Sequence, residues 1–340
     1  MKVLIIKTSS LGDVIHTLPA LTDAGKMQPT IRFDWVVENA FAEIPTWHPL
    51  VDRVIPIALR RWRRNPYQAW RSGEWQAFIR QLQAVQYDFV IDAQGLLKSA
   101  FLTRFARGVR CGLDFKSARE AFASLFYQRK FSVVWEQHAV VRARQLFAQV
   151  LNYPVPAISP EYKLQLPHVT KMATAQPYVV FLHGTTWATK HWPENYWIEL
   201  AQAVTQAGWS VKIPWGNPAE LARAQRIAAT AGNIEVLPKL NLAALSELLL
   251  RAKAAVAVDT GLGHLAAALG VPTLSLYGPT DPVFTGAVGD RQMHLAAQFS
   301  CAPCLSKNCT FKGAQPTLPA CFATLAPVLV WQKLQELLAL

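Results

Sequence analysis

Short apolar runs, each ending in a polar loop and followed by a helical stretch, alternate along nearly the whole chain. A run of four to six apolar residues without polar alternation must be covered on both faces, as in a parallel strand with crossover helices. In the first half the runs are Val3–Ile6, Phe33–Val37, Val54–Ile57 and Phe89–Asp92, with helices expected from near Leu18, Glu74 and Ala139. Five prolines between Tyr153 and Pro177 then break the periodicity, as a connection between domains does. A second series follows at Tyr178–His183, Ser210–Pro214, Ile234–Leu237, Ala254–Asp259 and Thr273–Tyr277. The expected fold class is therefore α/β, with two Rossmann-like doubly wound domains facing a central cleft. They should span residues 1–170 and 171–325, with a terminal helix at 326–340 able to pack back on the first domain.

Composition narrows the function. No segment approaches the ~18 uninterrupted apolar residues of a membrane span, and the opening Met1–Lys7 regains charge too soon for a signal peptide. Five cysteines, an odd number, do not make a secreted disulfide framework, so a cytoplasmic protein is expected. The net charge of +12 is concentrated in residues 1–170, with 22 Lys and Arg against 13 Asp and Glu; the remainder has 12 against 9. A basic half calls for an anionic partner. Nucleic acid is disfavoured, because no helix-turn-helix, zinc finger or RNP-like aromatic motif accompanies the charge.

The loops after the strands carry the chemistry. In VLIIKTSSLGDVIHTLPAL, residues 3–21, one glycine stands where a dinucleotide cradle needs G-x-G-x-x-G, which disfavours a nicotinamide dehydrogenase. In the second half, strand 254–259 runs into Asp259-Thr260-Gly261-Leu262-Gly263-His264 and an alanine-rich helix. Free N–H groups and the dipole at a helix amino terminus suit an anion, although an Asp/Thr cap with turn glycines reads equally well. FLHGTTWATKHWP supplies Thr185, Thr186 and Lys190 after another strand, and PWGNPAE supplies Glu220, a carboxylate able to accept from ribose hydroxyls. In the first half Arg60-Arg61-Trp62-Arg63-Arg64 follows a strand, and such clustering costs repulsion unless an anion is bound. With Lys7, Lys98, Arg119, His138 and Arg142 it points to a polyanionic ligand. Cys301, Cys304, Cys309 and Cys321 have a spacing that suits either zinc or reduced thiols, and Cys111 stands alone.

The ordered motifs KTSSLGDVIHTLPAL, RRWRR, DAQGLLKSA, SAREAFASLFY, TKHWPE and DTGLGHLAAALG resemble the ADP-heptose:lipopolysaccharide heptosyltransferase family, almost without gaps from Met1 to about Asp290. The resemblance implies a GT-B fold and an inverting transfer, with no cofactor or metal, from ADP-L-glycero-β-D-manno-heptose. The implied acceptor is a Kdo sugar of Kdo-lipid A at the cytoplasmic face of the inner membrane. It implies phosphate contacts from Thr185, Thr186 and Lys190, ribose contact from Glu220 and a main-chain contact beside the adenosine at Leu240, where relatives carry methionine. Asp259, Thr260, Gly261 and His264 complete that donor site. Lys7, Arg60, Arg61, Arg63, Lys98, Arg119, His138 and Arg142 face the acceptor, and Asp13 is the base. The cysteine-bearing tail departs from the pattern and keeps a heptosyltransferase with another core acceptor in play. A GT-B nucleotide-sugar epimerase is the further alternative, disfavoured by the arginine run.

Overall fold

A computed structural model describes residues 1–167, 176–313 and 317–339. The chain divides into two compact units, Met1–Pro167 and His168–Leu340. The boundary expected at 170/171 lies outside the described residues.

The first unit is one six-stranded parallel sheet of β1 (Lys2–Ile6), β2 (Arg32–Glu38), β3 (Val51–Ile57), β4 (Gln86–Asp92), β5 (Arg107–Leu113) and β6 (Arg129–Phe131), in the order β3-β2-β1-β4-β5-β6. The second repeats the plan with β7 (Tyr178–Leu182), β8 (Ser210–Ile213), β9 (Ile234–Val236), β10 (Ala254–Val258), β11 (Thr273–Tyr277) and β12 (Gln292–Ala296), in the order β12-β11-β10-β7-β8-β9. Each sheet is thus a 3-2-1-4-5-6 doubly wound sheet, whose chain reverses direction of travel between its first and fourth strands. Ligands of such sheets bind beyond the carboxyl ends of the strands at that point. The register fixes which residues meet there: Ile6 pairs Val36 and Asp92, and Leu182 pairs Ala257.

The central strands β1, β7, β10 and β11 read almost wholly apolar because both faces are covered. β5, β6 and β12, toward or at the sheet edges, carry polar residues such as Arg107, Arg110, Arg129 and His294, so apolar runs did not reveal them. The first helix spans Leu11–Met27 rather than opening near Leu18. Pro19 lies inside it, where a proline would ordinarily mark a start. The helix Pro327–Leu338 belongs to the second unit. Val330, Leu334 and Leu337 enter the core that holds Val179, Trp197 and Val256, and the indole N–H of Trp192 donates to Leu325 O at 2.9 Å.

One buried ion pair sets the first helix. Arg144, on helix Ala139–Leu151, donates from Nε to Asp23 Oδ2 at 2.5 Å and from Nη2 to Pro156 O and Ile158 O. Both side chains are almost fully buried. Removing one partner leaves an uncompensated charge, so Asp23→Ala should cost about 3–5 kcal/mol of unfolding free energy. Denaturant titration checks this; a loss near zero would mean that water replaces the carboxylate.

Candidate active site

The carboxyl ends of β7 and β10 bring the loops of the second unit together. Asp259, immediately beyond β10, is buried, and its Oδ2 accepts from Lys190 Nζ at 2.6 Å and from the Thr280 hydroxyl at 2.7 Å. His264 Nε2 lies 3.9 Å from Asp259 Oδ1. The Thr185 hydroxyl donates to Asp259 O at 3.1 Å, pinning the loop after β7 to the end of β10. Thr260 precedes helix Gly261–Ala268 at its N-cap position without a side-chain capping bond, and the first-turn N–H groups and dipole of that helix make the same corner attractive to an anion. A Cβ at Gly263 would stand 3.0 Å from Ala257 Cβ, so glycine lets this helix lie close on β10. The ammonium of Lys190 also sits 4.5 Å over the Trp187 ring. Four of the donor residues expected from sequence, Thr185, Lys190, Asp259 and His264, are therefore gathered at one point, with Thr260 and Gly261 beside them. Thr186 is exposed two residues before β7's short 3-10 turn Ala188–Lys190.

Glu220 joins through the next loop. Asn217 caps helix Pro218–Ala228, and Glu220 Oε2 accepts from Gly216 N at 2.7 Å. A Cβ on Gly184 would meet the Glu220 carboxyl at 2.7 Å, so Gly184 lets the β7 loop pass beside this side chain. Leu240 lies beyond β9 and just before Asn241, the cap of helix Leu242–Leu250. Neither Gly184 nor Thr280 was singled out in the sequence. Thr280 stands in the YGPTDP segment after β11, a turn composition that gave no sign of its bond to Asp259.

The first unit places Asp13 within the opening turn of helix Leu11–Met27, at its third position, and not in a free loop. Its Oδ2 accepts from Ser10 N at 2.8 Å and from the Ser10 hydroxyl at 2.7 Å, and its Oδ1 is 3.7 Å from Lys7 Nζ. Burial pushes this carboxyl up, but Lys7, the two Ser10 hydrogen bonds and His16 outweigh it and bring the pKa down to about 2. His138, the cap of helix Ala139–Leu151, packs edge-on to His16 at 5.4 Å. Thr8 donates from both its N–H and its hydroxyl to Gln94 Oε1, joining the loops after β1 and β4.

The basic residues divide into engaged and available groups. The guanidinium of Arg61 is forked onto Glu74, at 2.9 and 2.5 Å, while its side chain stays largely exposed. Arg142 donates to Ser117 O and lies 4.0 Å over Trp135. Burial, and then the charges of Arg60 and Arg63, push the Lys98 ammonium down against the pull of Glu38 and Glu120, so these three cations share one region. Arg119 is exposed beside Gly95. Cys301, Cys304, Cys309 and Cys321 are free thiols that line one cavity of about 370 Å³ with Thr189 and Pro279. Among the described residues no group of three or more His, Cys, Asp or Glu is arranged to hold a metal ion.

Residues 75–315 match the family model described as glycosyltransferase family 9 (heptosyltransferase). The chain belongs to this family. It is 57% identical over 351 residues to the lipopolysaccharide heptosyltransferase 1 of Pseudomonas aeruginosa, covering 99% of this chain and 98% of that one. It is 52% identical over 295 residues to its counterpart from Escherichia coli K12, covering 86% and 92%. Among solved structures, the Escherichia coli heptosyltransferase WaaC with ADP superposes with a TM-score of 0.87 at 46% identity, over 99% of this chain and all of that one. The same enzyme with ADP-2-deoxy-2-fluoro heptose gives 0.83 at the same identity, over 99% of each chain. The family's two Rossmann-like domains are the two units described above, and the cysteine-bearing tail lies within the span matched in the Pseudomonas relative.

The Lys190–Asp259 corner makes a direct prediction. A charge-assisted contact to a diphosphate is worth roughly 1.5–3 kcal/mol, so Lys190→Ala should weaken ADP binding by about 10- to 150-fold. Calorimetric titration of ADP measures it; unaltered affinity would remove Lys190 from the site.

Proposed function

We propose that this heptosyltransferase transfers L-glycero-D-manno-heptose from ADP-L-glycero-β-D-manno-heptose to a Kdo residue of Kdo-lipid A, inverting the anomeric centre, at the cytoplasmic face of the inner membrane. The observation that carries the reading is the corner where Lys190, Thr280 and His264 surround Asp259 at the end of β10. Relatives solved with ADP and with an ADP-heptose analogue support a nucleotide-sugar donor there. No described helix is long and apolar enough to cross a membrane, so attachment would be peripheral. Relatives named heptosyltransferase 2 are 25–26% identical, against 29% for the heptosyltransferase 1 of Campylobacter coli and 52–57% for those of Pseudomonas aeruginosa, Escherichia coli and Salmonella typhimurium, which favours the inner acceptor over a later core sugar.

In this mechanism the diphosphate takes the Lys190 ammonium, the Thr186 hydroxyl, the N–H groups at Thr260 and Gly261, and the Thr185 hydroxyl, which turns to it from Asp259 O. Glu220 accepts from the ribose hydroxyls, and the main chain at Leu240 flanks the adenosine. As the anomeric C–O bond breaks, its electron pair leaves with ADP, and the charge developing there is met by Lys190 and the helix dipole. The acceptor hydroxyl oxygen attacks the opposite face of the anomeric carbon, and its proton passes to Asp13. Lys98, Arg60, Arg63 and Arg119 hold the acceptor's carboxylates and phosphates, with Lys7, His138 and Arg142 supporting the Asp13 side. The two reacting atoms must come within ~3–3.5 Å, so transfer requires the two sites to meet.

A carboxylate held near pKa 2 is a weak base. It can take the proton only once the hydroxyl has become acidic through bond formation, so proton transfer comes late. Its folded pKa lies below the ordinary value, so Asp13 stays ionised at neutral pH and becomes protonated only as pH falls toward 2. The pH–rate profile should therefore show no acid limb from Asp13 between pH 5 and 8. Asp13→Asn should lower kcat by about 10²–10⁴-fold with ADP affinity unchanged. Steady-state kinetics with chemistry rate-limiting tests this. A variant retaining more than about a tenth of kcat would pass the base role to another group.

A further inference from the structure

Two short helices of the first unit leave apolar side chains in solvent. Leu97 and Phe101 stand one turn apart on helix Leu97–Thr103, with Phe101 46% exposed. Phe122 and Leu125 lie three residues apart on the 3-10 helix Ala121–Phe126, where that spacing aligns them along one face. They are 62% and 69% exposed, while Ala123, Ser124 and Tyr127 are buried beneath. Phe115, 55% exposed, meets Phe122 edge-on at 5.7 Å, and Phe101 meets Phe126 at 6.3 Å, so the two helices form one continuous face. Single exposed apolar residues are ordinary, but a contiguous group rimmed by charge marks an interaction site.

The charge around it has one sign. Between residues 97 and 130 there are eight Lys and Arg against two Asp and Glu. Arg104, Lys116, Arg119, Arg129 and Lys130 are exposed. Of the two acids, Asp114 caps its own turn by accepting from Ser117 N at 2.8 Å, and Glu120 accepts from Leu97 N at 2.6 Å. Aromatic and leucine side chains flanked by Lys and Arg match the two layers of a bilayer interface, acyl boundary and anionic headgroups.

We propose that the face formed by helix Leu97–Thr103, Phe115 and the 3-10 helix Ala121–Phe126 docks the enzyme on an anionic phospholipid surface. The inference rests on the reading above, in which the acceptor is lipid-borne. Phe122 and Leu125 enter the interface, and Lys116, Arg104 and Arg129 engage the headgroups. Lys98, one residue from Leu97, connects this face to Arg60 and Arg63, so docking delivers the acceptor's sugars to those cations.

The test is sedimentation of the purified full chain with vesicles of phosphatidylethanolamine and phosphatidylglycerol, beside vesicles of phosphatidylcholine alone. Wild type should partition to the anionic vesicles. The double variant Phe122→Ser, Leu125→Ser should lose about tenfold or more of that partitioning, and Lys116→Glu several-fold, both with unchanged thermal unfolding. With Kdo-lipid A in vesicles the double variant should turn over more slowly, while a Kdo acceptor without acyl chains is used at the wild-type rate. Wild-type partitioning by the double variant, or no preference of wild type for anionic vesicles, overturns the proposal. So does a wild-type dimer that the double variant abolishes without vesicle binding. Failure of wild type to transfer to either acceptor, with partitioning intact, would instead overturn the proposed substrate.

Discussion

The second unit depends on one buried carboxylate. Asp259 sits where β10 ends, out of water, and a charge in that position must be compensated or it destabilises the fold. The compensation comes from three separate elements: Lys190 after β7, Thr280 after β11 and, 3.9 Å away, His264 on the helix that follows β10. Satisfying Asp259 therefore also fixes the positions of the groups that bind the donor in the proposed mechanism. Lys190 has three donors, so pairing with Asp259 still leaves it able to meet a phosphate.

The fourth strand of the first unit ends in the same residue type, with a different solution. Asp92 is fully buried and accepts from the Tyr127 and Ser99 hydroxyls and from the N–H groups of Gln94 and Gly95. Burial pushes its carboxyl up despite those bonds. The donors to Asp92 are neutral and all local to the first unit, and the cation at this strand end, Lys7, donates from Nζ to Ala93 O at 3.0 Å. The one sheet plan thus gives a carboxylate paired with a cation in one unit and a carboxylate held by neutral donors in the other. Asp13, held by Ser10 and Lys7, follows the β1 loop that Thr8 ties to Gln94, two residues beyond Asp92.

Much of this was legible in the sequence because central parallel strands must be apolar on both faces. Val3–Ile6, Tyr178–Leu182 and Ala254–Val258 announce themselves, and the loops after them are where ligands of such sheets bind. Two edge strands, β6 and β12, and their neighbour β5 were hidden, since polar residues such as Arg129, His294 and Arg110 interrupt them, whereas the edge strands β3 and β9 kept an apolar run. The start of the first helix was missed because Pro19 reads as a beginning, whereas Ser10 and Asp13 already close the amino end eight residues earlier in a reciprocal cap. Arg61 looked like its neighbours until Glu74, thirteen residues away, took its guanidinium. Thr280 and Gly184 matter only through partners brought close by folding, and no local spacing encodes those contacts. The terminal helix was expected at 326–340, but periodicity cannot say which core its apolar face enters.

The central claim is that the carboxyl ends of β7 and β10 form the diphosphate site. A crystal structure of the chain with ADP tests it most directly. The account predicts diphosphate oxygens within hydrogen-bond reach of Lys190 Nζ and of the N–H groups of Thr260 and Gly261, with Glu220 against the ribose. ADP bound elsewhere, with the Lys190–Asp259 pair closed and no phosphate beside it, would contradict the account.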